Sequence, residues 1–493
     1  MKDLKRKAIR GGFAKLCSQA ASFLLRTGSL VILARMLVPK DFGIVGMVTA
    51  VIGVLNLFKD CGLSLATVQQ ATVTDEQSST LFWINLLNGT VLAVLCVSIA
   101  PAIAAFYHEP RLVAVTTALA TAFVFNAAGI QHSAKLQRQM RFTILSIIDV
   151  LSLLISSTVG IGMAKLGYGY WSLVYMALIG PLFSTICMWL STRWVPGPPR
   201  RHVGLGSAMR FGGTVTANSL IVYVAYNLDN LLIGRVWGAQ ALGIYGRAYT
   251  LINLPGDNLL QAVGGVAFPT LARVQNVPGQ LRSFFLKFYS FVLGLTLPAT
   301  LLCALFAPEL IFVILGSKWS ASVPIFRVLV PAMLMLSMIN PFSWLLFATG
   351  RVGRSLKIAV VIIALSTTGY LFGLPYGPKG VALGFSIAMM LWVVPNSLWC
   401  IQGTTISFQD IIHVVRKPFV SGITAALVAY LVRAAYGQFL PPLPRLVLGS
   451  AVFLGAYGGL LLYVMGEKAF YLDLIRGLRR SSEERDQELV LSA

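Results

Sequence analysis

The chain has 493 residues, of which 57% are hydrophobic and only 11% charged, with a formal net charge of +22 and a mean hydropathy of +0.78. Water-soluble domains carry roughly 25% charged residues, so this composition excludes a soluble globular enzyme and makes the chain a polytopic helical membrane protein. The positive balance does not mark a nucleic-acid binder, because Lys and Arg fall in short bursts between apolar runs with no aromatic interleaving.

The first stretch, MKDLKRKAIRGG, is basic like the head of a signal peptide. The apolar run behind it carries Lys15 and Arg26, and no A-x-A site closes it, so it is expected to be a retained first transmembrane helix. Runs long enough to span then recur, and they predict about fourteen spans (twelve to fourteen) in an all-α fold. They lie near 12–36, 42–66, 81–105, 112–131, 143–165, 168–191, 211–235, 242–268, 284–307, 324–348, 355–375, 380–402, 418–436 and 446–466. Glu309–Gly316 is too short to cross and is expected at the interface. With the N-terminus in the cytoplasm, cytoplasmic segments collect 25 Lys and Arg and outer segments about 8, which supports both the span count and cytoplasmic termini. The loop at 67–80, with neither residue, is the exception. Outer loops of about 15 residues at most leave no extramembrane domain to house an enzyme.

LARMLVPKDFGIVG (33–46) returns as IGRVWGAQALGIYG (233–246) at an offset of 200, with Arg35/Arg235, Gly43/Gly243, Ile44/Ile244 and Gly46/Gly246 identical. The offset equals six spans plus the linker VPGPPRRHVGLG (195–206). Because six is even, both copies insert the same way up, as in parallel-repeat transporters that hold substrate between two lobes. The expected organisation is a six-helix lobe over 1–192, a cytoplasmic linker over 193–210 and a second lobe over 211–402. Two added helices over 403–466 and a cytoplasmic tail over 467–493 follow. The repeated segment is the outer turn between the first two helices of each lobe. There Arg35 and Arg235 complement helix C-termini, and the glycines permit a tight turn and close packing.

Polar residues at helical spacing mark those same helices. Span 1 carries Lys15, Ser18, Ser22, Arg26 and Ser29; span 2 carries Thr49, Gly53, Asn56, Lys59, Asp60 and Ser64. Span 7 carries Asn218, Ser219, Tyr226, Asp229 and Asn230; span 8 carries Arg247, Thr250, Asn253, Asp257 and Gln261. A polar stripe is costly in lipid, so these stripes imply a hydrated cavity between the lobes. Arg26, Lys59, Arg247 and Lys15 would make it cationic and suited to an anionic headgroup, guanidinium being matched to phosphate oxygens. The alternative is internal pairing with Asp60, Asp149, Asp229 or Asp257, which are also candidates for ion coupling. Arg327, near the outer end of span 10, can simply snorkel. Pro255-Gly256 is expected to kink span 8.

No GxxxxGK[ST], HExxH or His cluster occurs, and His108, His132, His202 and His413 are scattered. No cofactor or metal is therefore expected, and transport would draw on an H+ or Na+ gradient, the membrane potential or substrate supply. Cys17, Cys61, Cys96, Cys187, Cys303 and Cys400 form no CxxC pair and read as small apolar residues.

Four stretches together carry a resemblance: LARMLVPKDFG (33–43), GLSLATVQQATVTDEQSSTLFWINLLNG (62–89), AAGIQHSAKLQRQMRF (127–142) and GSKWSASVP (316–324). In this order and spacing the chain resembles the Wzx-type lipid-linked oligosaccharide flippases of the MOP superfamily, particularly the colanic-acid exporter branch. The resemblance implies a MATE-like fold and movement of polyprenyl-pyrophosphate-linked repeat units across the bacterial inner membrane by alternating access, for exopolysaccharide, O-antigen or capsule assembly. It also implies a basic cavity, for which Arg26, Lys59 and Arg247 are the nearest matches. Implied partners are the lipid-linked oligosaccharide, membrane lipids, and polysaccharide polymerase and export machinery, with no nucleic acid. The competing readings are a MATE-like ion-coupled antiporter of small molecules and a peptidoglycan-precursor flippase.

Overall fold

A computed structural model describes residues 2–59, 74–199, 206–436, 439–469 and 471, and for 2–16, 206–219, 221, 222, 225, 226 and 436 the backbone alone. The helices in chain order are α1 (Lys2–Met36), α2 (Pro39–Asn56), α3 (Asp75–Tyr107), α4 (Arg111–Arg138), α5 (Phe142–Lys165), α6 (Trp171–Thr192) and α7 (Gly206–Arg273). They continue with α8 (Pro278–Leu305), short α9 (Ala307–Ile314), α10 (Ser322–Ile339), short α11 (Phe342–Ala348), α12 (Val352–Gly373), α13 (Gly377–Ile401), α14 (Phe408–Tyr436) and α15 (Pro442–Gly459).

Among the described residues, 11 helical stretches are long and apolar enough to cross a membrane. One of them, Val352–Ile401, is 50 residues long and contains α12 and α13 in succession. Separately, the 68-residue α7 is broken at Gly238, with φ 78° and ψ −178°, so it contains the predicted spans near 211–235 and 242–268. Gly238 lies between those two predicted spans, and Pro255 sits inside the helical stretch that follows it. The chain is an all-α polytopic membrane protein. Its surface agrees, because Leu24, Leu87, Leu190, Leu391 and Leu431 are all more than half exposed, as lipid-facing side chains are. Cys96 and Cys400 are buried as expected, whereas Cys17 is exposed.

The chain divides into two compact units. The first comprises Met1–Ala248, Ile314–Ile325 and Ala359–Phe385; the second comprises Tyr249–Val313, Phe326–Ile358 and Ser386–Ala493.

In the first unit, local signals set the helix ends. Thr74 Oγ1 accepts from the Gln77 backbone N–H at 3.2 Å and Gln77 Oε1 accepts from the Thr74 N–H at 3.0 Å, a reciprocal cap that starts α3. The helix stops at His108, which turns left-handed at φ 54°. Side-chain donors on one helix tie it to backbone carbonyls of the next. Thr185 Oγ1 donates to the Phe125 carbonyl at 2.7 Å and Trp189 Nε1 to the Ala128 carbonyl at 2.9 Å, fastening α6 to α4.

The second unit packs its last two helices on α8 and α9. Phe306, Ala425, Ala429, Phe453, Tyr457 and Leu461 form one core, and Tyr457 Oη donates to the Gly294 carbonyl at 2.8 Å. Beside it Glu309, 3% exposed, accepts from Arg433 at 2.8 Å and from Arg445 at 3.5 Å. Glu309→Gln keeps the shape and removes the charge, leaving two partly buried guanidinium groups without a counter-charge. The expected cost is about 1–3 kcal/mol, less than for a fully buried pair because the arginines keep some solvent. A lower unfolding midpoint of the detergent-purified protein would show it; an unchanged midpoint refutes it.

Candidate functional site

The repeated segment of the sequence builds a two-sided joint. The chain leaves helical geometry at the same place in both copies, Val38 (ψ 157°) and Gly238 (ψ −178°). In the first copy Asp41 accepts from the Val38 N–H at 3.1 Å and starts α2. Gly43 then lies so close to Ala239 that an added Cβ would sit 1.7 Å from its carbonyl oxygen. Gly243 stands in the mirror relation to Pro39, where an added Cβ would sit 1.9 Å from that carbonyl oxygen. Positions 39, 43, 239 and 243 thus exchange contacts pairwise, as an internal twofold axis demands. Farther along α2, Gly53 makes room for Tyr223, whose hydroxyl donates to the Ala50 carbonyl at 3.1 Å.

A third strand of the chain covers this joint. Trp319, fully buried, donates its indole N–H to the Ala34 carbonyl at 2.8 Å, and Lys318 Nζ donates to the Arg35 carbonyl at 3.4 Å. Both carbonyls belong to the last turn of α1 and have no acceptor role inside that helix. Ser322 Oγ donates to the Ile244 carbonyl at 3.0 Å. Arg235 bonds His108 and stacks on Phe106, its guanidinium carbon 5.4 Å from the ring centre.

Next to the joint is a cavity of about 500 Å³. Arg26 from α1 and Arg247 from α7 both line it, with Thr49 of α2, Ser156 of α5, and Met176 and Pro181 of α6. Among the described residues no carboxylate lines it. Among the described residues neither arginine has an ion-pair partner. A cation near mid-membrane costs about 2.5–3.5 kcal/mol on insertion scales. Two of them in a mostly apolar lining, with no counter-charge among the described residues, favour entry of an anion.

The other candidates fall elsewhere. Lys59 follows α2 in a bend, half-buried, with its backbone carbonyl accepting from Asn88 Nδ2 at 3.1 Å, and it does not line this cavity. The Lys15 side chain and all of Asp60 lie outside the described residues. Asp229 is 1% exposed and accepts from the Tyr245 hydroxyl and the Asn230 N–H, both at 2.7 Å. Asp257, exposed, belongs to the second unit and accepts from Asn253 Nδ2 at 2.6 Å. Asp149 is exposed on α5. Two serines of the span 1 stripe are turned inward: Ser18 donates to the Ser146 carbonyl at 3.2 Å and Ser29 to its own helix at Leu25, 2.6 Å away. Neither α5 nor α6 was among the cavity walls expected from the sequence. Their available signals were Ser152 and Ser156 one turn apart and the proline inside α6.

The model of a family described as polysaccharide biosynthesis proteins matches residues 32–324. Lipopolysaccharide biosynthesis protein WzxC of Escherichia coli (strain K12) is 26% identical over 438 residues, covering 87% of this chain and 88% of that one. Succinoglycan biosynthesis transport protein ExoT of Rhizobium meliloti (strain 1021) is 24% identical, covering 88% of each. Teichuronic acid biosynthesis protein TuaB of Bacillus subtilis (strain 168) is 30% identical over 305 residues, covering 59% of this chain and 61% of that one. Among solved structures, a lipid II flippase MurJ in an inward closed conformation superposes with a TM-score of 0.71 at 15% identity, covering 95% of this chain and 100% of that one. An inward-facing multidrug resistance MATE family transporter of the MOP superfamily superposes at 0.63 with 14% identity, covering 80% and 96%. At these identities the likeness is one of fold, and the chain has the fold of these two transporters.

Proposed function

The chain belongs to the polysaccharide biosynthesis protein family, and on that premise we propose that it flips polyprenyl-pyrophosphate-linked oligosaccharide repeat units from the cytoplasmic to the outer leaflet of a bacterial inner membrane. The observation that carries this reading is the cavity holding Arg26 and Arg247 with no carboxylate among the described residues of its lining. The relatives are named for different polymers, so a cavity they share would recognise the anionic carrier and not one particular sugar. Guanidinium groups meet pyrophosphate oxygens with paired, charge-assisted hydrogen bonds. The same two cations repel a cationic drug, which disfavours an antiporter for such compounds.

In this reading the protein is a transporter and not an enzyme, with both termini cytoplasmic and Lys59 and Lys15 toward the cytoplasmic mouth. The substrate enters from the inner leaflet, its carrier group meets Arg26 and Arg247, and opening of the Gly43/Gly243 joint releases it outward. With no nucleotide-binding loop in the sequence, the drive is an H+ or Na+ gradient, the membrane potential or substrate supply. Asp229 is the coupling candidate best placed to change charge, being buried and held by neutral donors. Polymerase and export machinery act on the product.

Deleting the gene in its host and measuring lipid-linked repeat units together with surface polysaccharide tests the reading. Accumulation of the repeat unit on the inner leaflet with export stopped is the expected result, reversed by the wild-type gene. Normal export without accumulation overturns it.

A further inference from the structure

Arg247 has no carboxylate partner among the described residues, yet its guanidinium is not loose. Its carbon stands 4.5 Å from the centre of the Phe42 ring. A ring under the guanidinium face attracts the charge through its quadrupole and leaves every N–H, all of which lie in the guanidinium plane, free to donate outward. A carboxylate partner would occupy those donors. Phe42 therefore does for Arg247 what a counter-ion cannot: it holds the cation without competing for its ligand.

The ring is itself fixed. Phe42 is 6% exposed and meets Trp319 edge-on, centres 5.3 Å apart at 70°. Trp319 is anchored through its indole N–H on the Ala34 carbonyl at 2.8 Å. Phe42 also neighbours Gly43, whose contact with Ala239 sets the height of α2 against α7. A chain of contacts thus runs from the end of α1 through Trp319 and Phe42 to one charge of the cavity. An arginine side chain loses rotamer entropy when it is fixed, so a ring that fixes it beforehand strengthens whatever it then binds.

We propose that Phe42, held edge-on by Trp319, is a positioning residue that sets the Arg247 guanidinium for anion binding in the cavity; this rests on the anion-site reading above. The partner class is a pyrophosphate or phosphate group, the probe undecaprenyl pyrophosphate carrying a fluorophore.

The test is binding of that probe to the full-length protein in lipid nanodiscs. Phe42 is replaced by mono-, di- and trifluorophenylalanine, which weaken the ring quadrupole while nearly keeping its shape, and separately by Phe42→Leu. Affinity is expected to fall stepwise with fluorination and about three- to tenfold in Phe42→Leu. In an Arg247→Ala background the same changes are expected to do nothing further. Affinity indifferent to fluorination, or a Phe42→Leu loss of equal size with and without Arg247, overturns the proposal and leaves Phe42 as packing alone. Wild-type protein that does not retain the probe, or Arg247→Ala that binds as wild type, overturns the anion-site reading and the proposal with it.

Discussion

Arg26→Ala, produced at the wild-type level in a host lacking the chromosomal gene, is expected to restore no more than about a tenth of polysaccharide export. A hydrogen bond to a charged group contributes about 1.5–3 kcal/mol, and each 1.4 kcal/mol is tenfold in a binding constant. Losing one guanidinium from a site with two in its lining removes at least one such bond. Arg26→Lys keeps the charge and loses the paired donors, so it is expected between alanine and wild type. Arg247→Ala is expected to resemble Arg26→Ala. Arg327→Ala is the control: Arg327 is exposed, belongs to the second unit and does not line the cavity, so export is expected to stay near wild type. Quantifying surface polysaccharide across these four strains decides the matter. Export by Arg26→Ala equal to that of Arg327→Ala would remove Arg26 from the substrate path.

Arginine in an apolar helix is legible in a sequence because its cost in lipid demands a reason. Arg26 and Arg247 were therefore visible 221 positions apart as charges needing a place, and the fold brings both to one cavity. Serine is less legible. Ser18 and Ser29 share the polar stripe of α1, but a hydroxyl satisfies itself on any carbonyl within reach, and these two do so at Ser146 and Leu25. The apolar walls from α5 and α6 were missed for the opposite reason. Leu153, Leu173, Met176 and Ala177 line the cavity with side chains that would suit lipid equally well. The break between the two halves of α7 falls at Gly238, where φ is 78°, a value glycine takes without the cost a Cβ would bring. The short run after α8 was legible by length, and it forms the eight-residue α9.

The repeat was the plainest feature of the sequence, and the reason for its glycines was not. Sequence spacing gives the turn; only the fold shows that the two turns touch each other. Four repeated glycine-bearing positions look alike in sequence, but two of them face backbone and two do not. Gly43 and Gly243 each meet a carbonyl oxygen of the other copy's turn. An added Cβ at Gly46 would meet only the Leu242 side chain, at an ordinary 3.5 Å, and at Gly246 nothing within 4 Å.

Gly43→Ala and Gly243→Ala are accordingly expected to cripple transport, while Gly46→Ala and Gly246→Ala are expected to leave it near wild type. In a helix interior alanine is favoured over glycine by about 1 kcal/mol, so propensity alone would stabilise all four variants. The two clashes must overcome that gain. A Cβ 1.7 or 1.9 Å from a backbone oxygen cannot be relieved by a rotamer change, so α2 and the second half of α7 must move apart. Overpacking of this kind costs about 1–3 kcal/mol. That cost falls on the closed joint and not on the open one, so it shifts the balance between them by about 5- to 150-fold toward opening. Val38, 45% exposed at the joint, supplies the reporter. In a Val38→Cys background, intact cells treated with a membrane-impermeant maleimide are expected to label faster when Gly43→Ala is present, and no faster with Gly46→Ala. Equal labelling and equal export in the two backgrounds would mean that the joint is merely well packed and does not move during transport.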